Sequence, residues 1–216
     1  MIHKLLPFRQ YDEKDVVNLF SLVLTGAGTN YSNAYAGAII DNGSNLSGTA
    51  VQISTGNTNL GGDEPMMTAS EGYLGAVKDG LGQTIAQGVQ YPKAANTVAP
   101  TSAANDTNFF GVTLRSTLAY DENMEKLLYY QRKLEELQAV LPLQAVPIAT
   151  RGVFTLSVGT LTNGHAMASA APGQGLSVAT KGQFAAAAVA AGDVGLVLAT
   201  GKNGGQDVAL VQIAPR

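Results

Sequence analysis

Apolar positions in this chain come in short runs cut by Gly, Asn, Asp and Pro. Residues 16–24 form a β-rich run that ends at Thr25, Gly26, Ala27 and Gly28, and predict a strand. Short apolar pieces follow at 38–40, 50–53 and 73–77, each meeting a turn signal such as Asn42-Gly43, Gly56-Asn57 or Asp79-Gly80. Residues 84–89 add a candidate strand, and 93–108, polar with Pro100, read as loop. Residues 109–118 and 148–158 are again apolar and β-rich, with turns at 162–165 and 172–175. The clearest element is a hairpin. Residues 194–200 run into Lys202-Asn203-Gly204-Gly205 and return as 207–213, and Asn-Gly between two apolar runs is a strong hairpin signal. Its first run is nearly all apolar, which predicts burial on both faces or packing against another subunit, with Leu196, Leu198 and Leu210 as subunit-contact candidates. Many short strands with Gly-rich turns predict a mainly β chain, a small barrel or sandwich.

Two segments break the pattern. In 119–141, Leu127, Tyr130, Leu134, Leu137 and Leu141 recur at helical spacing among charged residues. Asp121 suits an N-cap, Glu122 and Glu125 suit a first turn, and Pro142 stops the period. The competing reading is a hairpin turning at Asp121-Glu122-Asn123, with 127–130 as a strand. The first 15 residues mix charges with scattered Leu5, Leu6, Phe8 and Tyr11 in no clean period. They read as a frayed terminus or as an extended arm laid on a partner, with Leu5, Phe8, Arg9 and Tyr11 as contact candidates. The organisation expected is an N-terminal arm and first strand at 1–24 and a Gly/Asn/Thr-rich β region at 25–118. A charged helix or hairpin at 119–141 and a C-terminal β-barrel at 142–216 complete it.

Composition narrows the class. Only 13% of the 216 residues are charged, against about 25% in an average soluble domain. A surface with so few charges repels neighbours weakly and suits permanent packing against other chains. The net charge of −3 disfavours electrostatic nucleic-acid binding. The absence of Cys excludes disulfides and thiolate-held metals, and two His, His3 and His165, are too few for a multi-His centre. The uncharged stretch 16–40 is dotted with Asn, Ser, Thr and Gly, and the Ala-rich stretch 184–191 is short, so neither a membrane span nor a secretory leader is expected.

No catalytic constellation emerges. Gly26-Ala27-Gly28 opens a dinucleotide fingerprint, but Tyr31 stands where its third Gly belongs. No phosphate-binding Gly-x-x-x-x-Gly-Lys pattern and no nucleophile elbow occurs. His165 falls in a hairpin tip, where an exposed or interfacial ring is expected. The acid pairs Asp63-Glu64 and Asp121-Glu122 sit in turn-like contexts that suit solvated residues; an enzyme reading, a β-fold hydrolase, rests on Asp63 or Glu64 alone. Asn30, Asn42, Asn45 and Asn105 match the glycosylation acceptor pattern, which without a leader reports only composition. Tyr129-Tyr130 forms no stacking platform for nucleic acid. The chain reads as a structural or binding protein with no cofactor and no metal.

Residues 111–123, 139–156, and the ending with Ala191-Gly192-Asp193-Val194-Gly195 leading to 208–213, resemble structural proteins of tailed-bacteriophage heads. They are similar to capsid cement or decoration proteins, especially those of cyanophage-like viruses. The resemblance covers roughly the second half of the chain. It implies a homotrimer on local three-fold axes of an icosahedral shell, bound to the major capsid protein and assembled in the host cytoplasm. It also implies an N-terminal arm reaching across capsomers. The charged segment 119–141 departs from that pattern, since small decoration proteins are mostly strand and loop. Other virion parts, such as a head fibre, tail tube or spike, are the alternative.

Overall fold

The computed structural model describes residues 4–22, 45–53, 97–101, 108–118, 121, 123, 125, 127–141, 144–159 and 164–214. The expectations for 25–44, 54–96, 102–107 and 160–163 lie outside these residues, including the turn at Gly26–Gly28, the strands at 38–40, 73–77 and 84–89, and the acids Asp63 and Glu64.

The chain is mainly β and mostly antiparallel. One six-stranded sheet gathers β1 (Leu5–Gln10), β10 (Gly152–Ser157), β11 (Gly175–Ala179), β12 (Gln183–Ala187), β13 (Gly195–Asn203) and β14 (Gln206–Ile213), in the order β1-β10-β14-β13-β11-β12. β14, the last described strand in chain order, is central. It pairs with β10 from Val208 to Ile213 on one side and with the whole of β13 on the other. The second sheet takes β2 (Val16–Val17), β3 (Ser21–Leu22), β4 (Ala50–Ile53), β5 (Thr97–Pro100), β6 (Phe109–Thr113) and β9 (Ile148–Ala149), in the order β2-β9-β6-β4-β5-β3. Its edge strands β2 and β3 are separated by only residues 18–20. The four steps from Val17 to Ser21 reach roughly 14 Å at most, while a flat sheet of six strands is about 24 Å wide, so this sheet curls upon itself. A third, parallel pair joins β7 (Ser116–Thr117) to β8 (Ala139–Val140).

Period-two alternation decides which side chains go where. Ala50 and Ala149 join Phe154, Leu156, Leu176, Phe184 and Val211 in the main core, where the two sheets meet. Their neighbours Val51 and Ile148 turn to the other face of the curled sheet, with Leu22, Val98, Val140 and Val146. There Phe20 meets Phe110 edge-on at 5.1 Å. The result is a sandwich of two packed sheets. The first sheet is open at β1 and β12, so residues 142–216 do not close into the barrel expected of them.

Three local expectations are corrected. Residues 93–108 are not all loop: Thr97–Pro100 is a paired strand, because burying Val98 in the core outweighs the polar composition around it. The run at 16–24 is divided into β2 and β3 rather than continuous. The charged segment yields one short helix, α1 (Gln131–Glu136), after a 3₁₀ turn at Leu127–Tyr129, and 127–130 is not a strand. Asp121 does not cap this helix. Its carboxylate accepts the backbone N–H groups of Asn123 (2.8 Å) and Glu125 (2.7 Å) and pairs with Lys133, tying a compact loop to α1 instead. Tyr130 supplies no side-chain cap, and Gln138, with φ 48°, ends the helix and turns the chain into β8.

Candidate functional site

The N-terminal segment, read as a frayed terminus or an arm laid on a partner, is a strand of this chain's own sheet. β1 pairs antiparallel with β10, placing Leu5 opposite Leu156, Arg9 opposite Phe154 and Gln10 opposite Val153, with an irregularity between Leu5 and Arg9. Leu5 is buried in the main core, and the Tyr11 ring stacks on Phe154 at 6.0 Å. These two candidates for partner contact therefore serve this chain's own core. Arg9 is half-buried and borders two grooves between β1 and the α1 segment, one lined by Leu6, Ser47 and Leu137, the other by Glu13, Arg115 and Glu135. Phe8 differs from all of these: 70% of it faces solvent on the outermost strand, between residues that are fixed in the core.

Beneath the start of β1 lies a buried pair of basic side chains. Lys4 and His165 are both fully buried. The backbone makes the enclosure: Ser157 N–H donates to the Lys4 carbonyl at 2.8 Å, and His165 N–H donates to the Ser157 carbonyl at 2.9 Å. Gly48, with φ +90°, roofs it. A Cβ at Gly48 would lie 3.0 Å from Leu5 N and 3.2 Å from the Lys4 carbonyl carbon, so only glycine fits. His165 Nδ1 accepts the Phe184 N–H at 2.9 Å, which places the ring proton of the neutral form on Nε2. Neither Nε2 nor Lys4 Nζ has a hydrogen-bond partner. Burial lowers the Lys4 ammonium from 10.5 to about 8. Burial first, and the Lys4 charge second, hold the imidazole well below its ordinary 6.5, against a smaller opposing effect of the Gly48 backbone. His165 is thus a buried neutral ring and not the exposed or interfacial one expected at a hairpin tip: the segment after β10 folds back as a parallel bridge from Val158 to His165.

The hairpin candidates are separated by geometry. Val197 is buried, Leu196 and Leu210 are half-buried, and Leu198 is 41% exposed. Pairing shifts between Val197 and Ala199, so Leu198 is the extra residue of a β-bulge. The expected burial of 194–200 on both faces does not hold beyond Val197, because β10 accompanies β14 only as far as Val208 and β11 accompanies β13 only to Leu196. From Leu198 to Gly205 the hairpin is exposed.

Among the described residues, no group of three His, Cys, Asp or Glu is placed to hold a metal ion, and no helix is long and apolar enough to cross a membrane. Lys133 and Asp121 form the one partly buried ion pair described, at the base of α1, and it ties a loop down. Sequence reasoning missed Lys4 and His165. The His165 signal was there in part, since a lone His between apolar strands is often a core residue, but nothing in the first residues marks Lys4 as buried. Compared with protein-family models, curated proteins and solved structures, the chain matches none.

Proposed function

We propose that this chain is a virion structural protein that decorates and cements the head of a tailed phage, bridging neighbouring major capsid subunits as a homo-oligomer, and that it is not an enzyme. The observation that carries the proposal is Phe8. A large aromatic side chain, 70% exposed, stands on a sheet edge anchored by Leu5 below and Tyr11 above. Exposed aromatics held rigidly lose little entropy on docking and are favoured anchors at interfaces. The low charge of the chain leaves that surface free of strong repulsion from a neighbour. A cement needs this combination: a stable sandwich, a rigid apolar contact, and many identical weak attachments that sum over a shell.

Cosedimentation of the purified chain with expanded phage heads tests the proposal. Saturable binding at a fixed ratio to the major capsid protein is expected. Phe8→Ser should reduce occupancy without changing the melting temperature, because the side chain packs on nothing within this chain's core. Absence of saturable binding refutes the cement role. Equal occupancy by Phe8→Ser refutes the anchor.

A further inference from the structure

The first sheet has three stretches of strand edge, and two of them are protected. β1 carries Pro7, which has no N–H to offer a further strand, and an irregular register. β12 is flanked by the 164–166 segment, through the bridge from Ala166 to Ala185 and the Gln183 Nε2 to Gly164 carbonyl hydrogen bond. The outer edge of β13 has neither device. Up to Val197 it is covered, since Val197 N–H donates to the Gln174 carbonyl and Val197 accepts from Gly173. From Leu198 to Asn203 it is exposed, and its described partner strand lies only on the β14 side.

The hydrogen-bond phase of that edge follows from the turn. Gly204 (φ 57°) and Gly205 (φ 85°) form the two-residue hairpin loop, so Asn203 and Gln206 are a hydrogen-bonded pair, and such pairs alternate with non-bonded ones up the ladder. Gly201 and Ala199 therefore bond inward to β14, while Lys202 and Thr200 direct N–H and C=O outward. The far side of β14 agrees: Asp207, opposite Lys202, gives its carbonyl away from β13, to Val158 N–H at 2.9 Å.

We propose that this open edge pairs antiparallel with the same edge of a second copy of the chain, about a two-fold axis at Gly201. In this register Thr200 of one copy and Lys202 of the other exchange both backbone hydrogen bonds, twice over by symmetry. Gly201 faces Gly201 at the axis, where a non-bonded pair brings strands closest, and nothing lies within 4 Å of its Cβ position in the free chain. Each Lys202 stands opposite a Thr and is held by Asp207 of its own hairpin at 3.4 Å. A register centred on Lys202 would set two ammonium groups face to face, and one centred on Thr200 would run into the Leu198 bulge. The pairing stands apart from the capsid reading, and it joins copies whatever other contacts they make.

The chain has no Cys, so Gly201→Cys reports the pairing directly on a non-reducing gel. In a glutathione redox buffer, covalent dimer of Gly201→Cys should exceed that of the exposed control Ala188→Cys at least tenfold at equal protein concentration. Adding Thr200→Pro, which deletes an outward N–H and no bond to β14, should return it to the control level. Dimer no greater than the control overturns the proposal, as does dimer that survives Thr200→Pro. The unmutated chain gives a second reading: amide exchange at Thr200 and Lys202 should slow as protein concentration rises, and exchange independent of concentration overturns the pairing as well. Either result leaves binding to phage heads to its own assay.

Discussion

Replacing Lys4 with Met removes a charge that the fold holds at a loss. The ammonium is fully buried without a hydrogen-bond partner, and burial brings it from 10.5 to about 8. At about 1.36 kcal/mol for each tenfold change in proton affinity, that gap makes the protonated lysine cost the native state about 3 kcal/mol. The sign follows from proton counts. Between about pH 8 and 10.5 the unfolded chain binds a proton that the folded chain has released, so stability rises with pH across that window. Below pH 8 both states are protonated and the full cost is present. Met keeps the length and apolar stem of Lys and removes the ammonium, so Lys4→Met should gain up to about 3 kcal/mol at pH 7, a large step against a total of roughly 5–15 kcal/mol. Urea unfolding followed by circular dichroism at pH 7, 8, 9 and 10 measures it. The unmutated chain should climb across the series, and Lys4→Met should start higher and lack that climb. A Lys4→Met protein less stable at pH 7, or an unmutated chain flat from pH 8 to 10, would refute the reasoning.

Two further substitutions probe other layers of the structure. Phe154→Ala removes one of the two fully buried Phe side chains of the main core, together with the Tyr11 stacking partner, and should cost about 3–5 kcal/mol in the same unfolding assay. Asp121 is held below its ordinary 3.8, first by the Lys133 hydrogen bond, so its stabilisation is present above that pH and lost as pH falls below it; Asp121→Asn should lower the neutral-pH melting temperature and flatten the acid limb below pH 4.

The two apolar runs and the Asn203-Gly204-Gly205 signal between them were enough to mark β13 and β14, although the loop falls on Gly204-Gly205 and Asn203 stays in the ladder, because a hairpin is a local object whose turn chemistry and pairing partners lie within a few residues. The mainly β class followed from the same short runs. What the sequence left hidden depends on distant partners. Leu5 reads as a free contact until Leu156 is placed beside it. Val98 reads as loop until Val51 and Leu22 surround it. The helical period at 127–141 is realised only over Gln131–Glu136, and Asp121, which reads as its N-cap, instead accepts from the loop N–H groups and pairs with Lys133 across a distance no local pattern shows. The exposure of Leu198 was hidden too, since the bulge that ends burial after Val197 has no mark in an apolar run, and so was the burial of Lys4, since no local rule buries a lysine at the start of an edge strand.

The central place of β14 governs when this protein can fold. β14 lies between β10 and β13, and β1 joins the sheet only through β10. A ribosome that has released everything up to residue 205 has therefore produced five of the six strands and no continuous sheet. Leu5–Gln10 has β10 alone to hold it until Ile213 emerges. Assembly of the first sheet therefore waits for Gln206–Ile213, with long-range closure as its slow step. Loss of Gln206–Ile213 would divide that sheet in the middle rather than trim its edge.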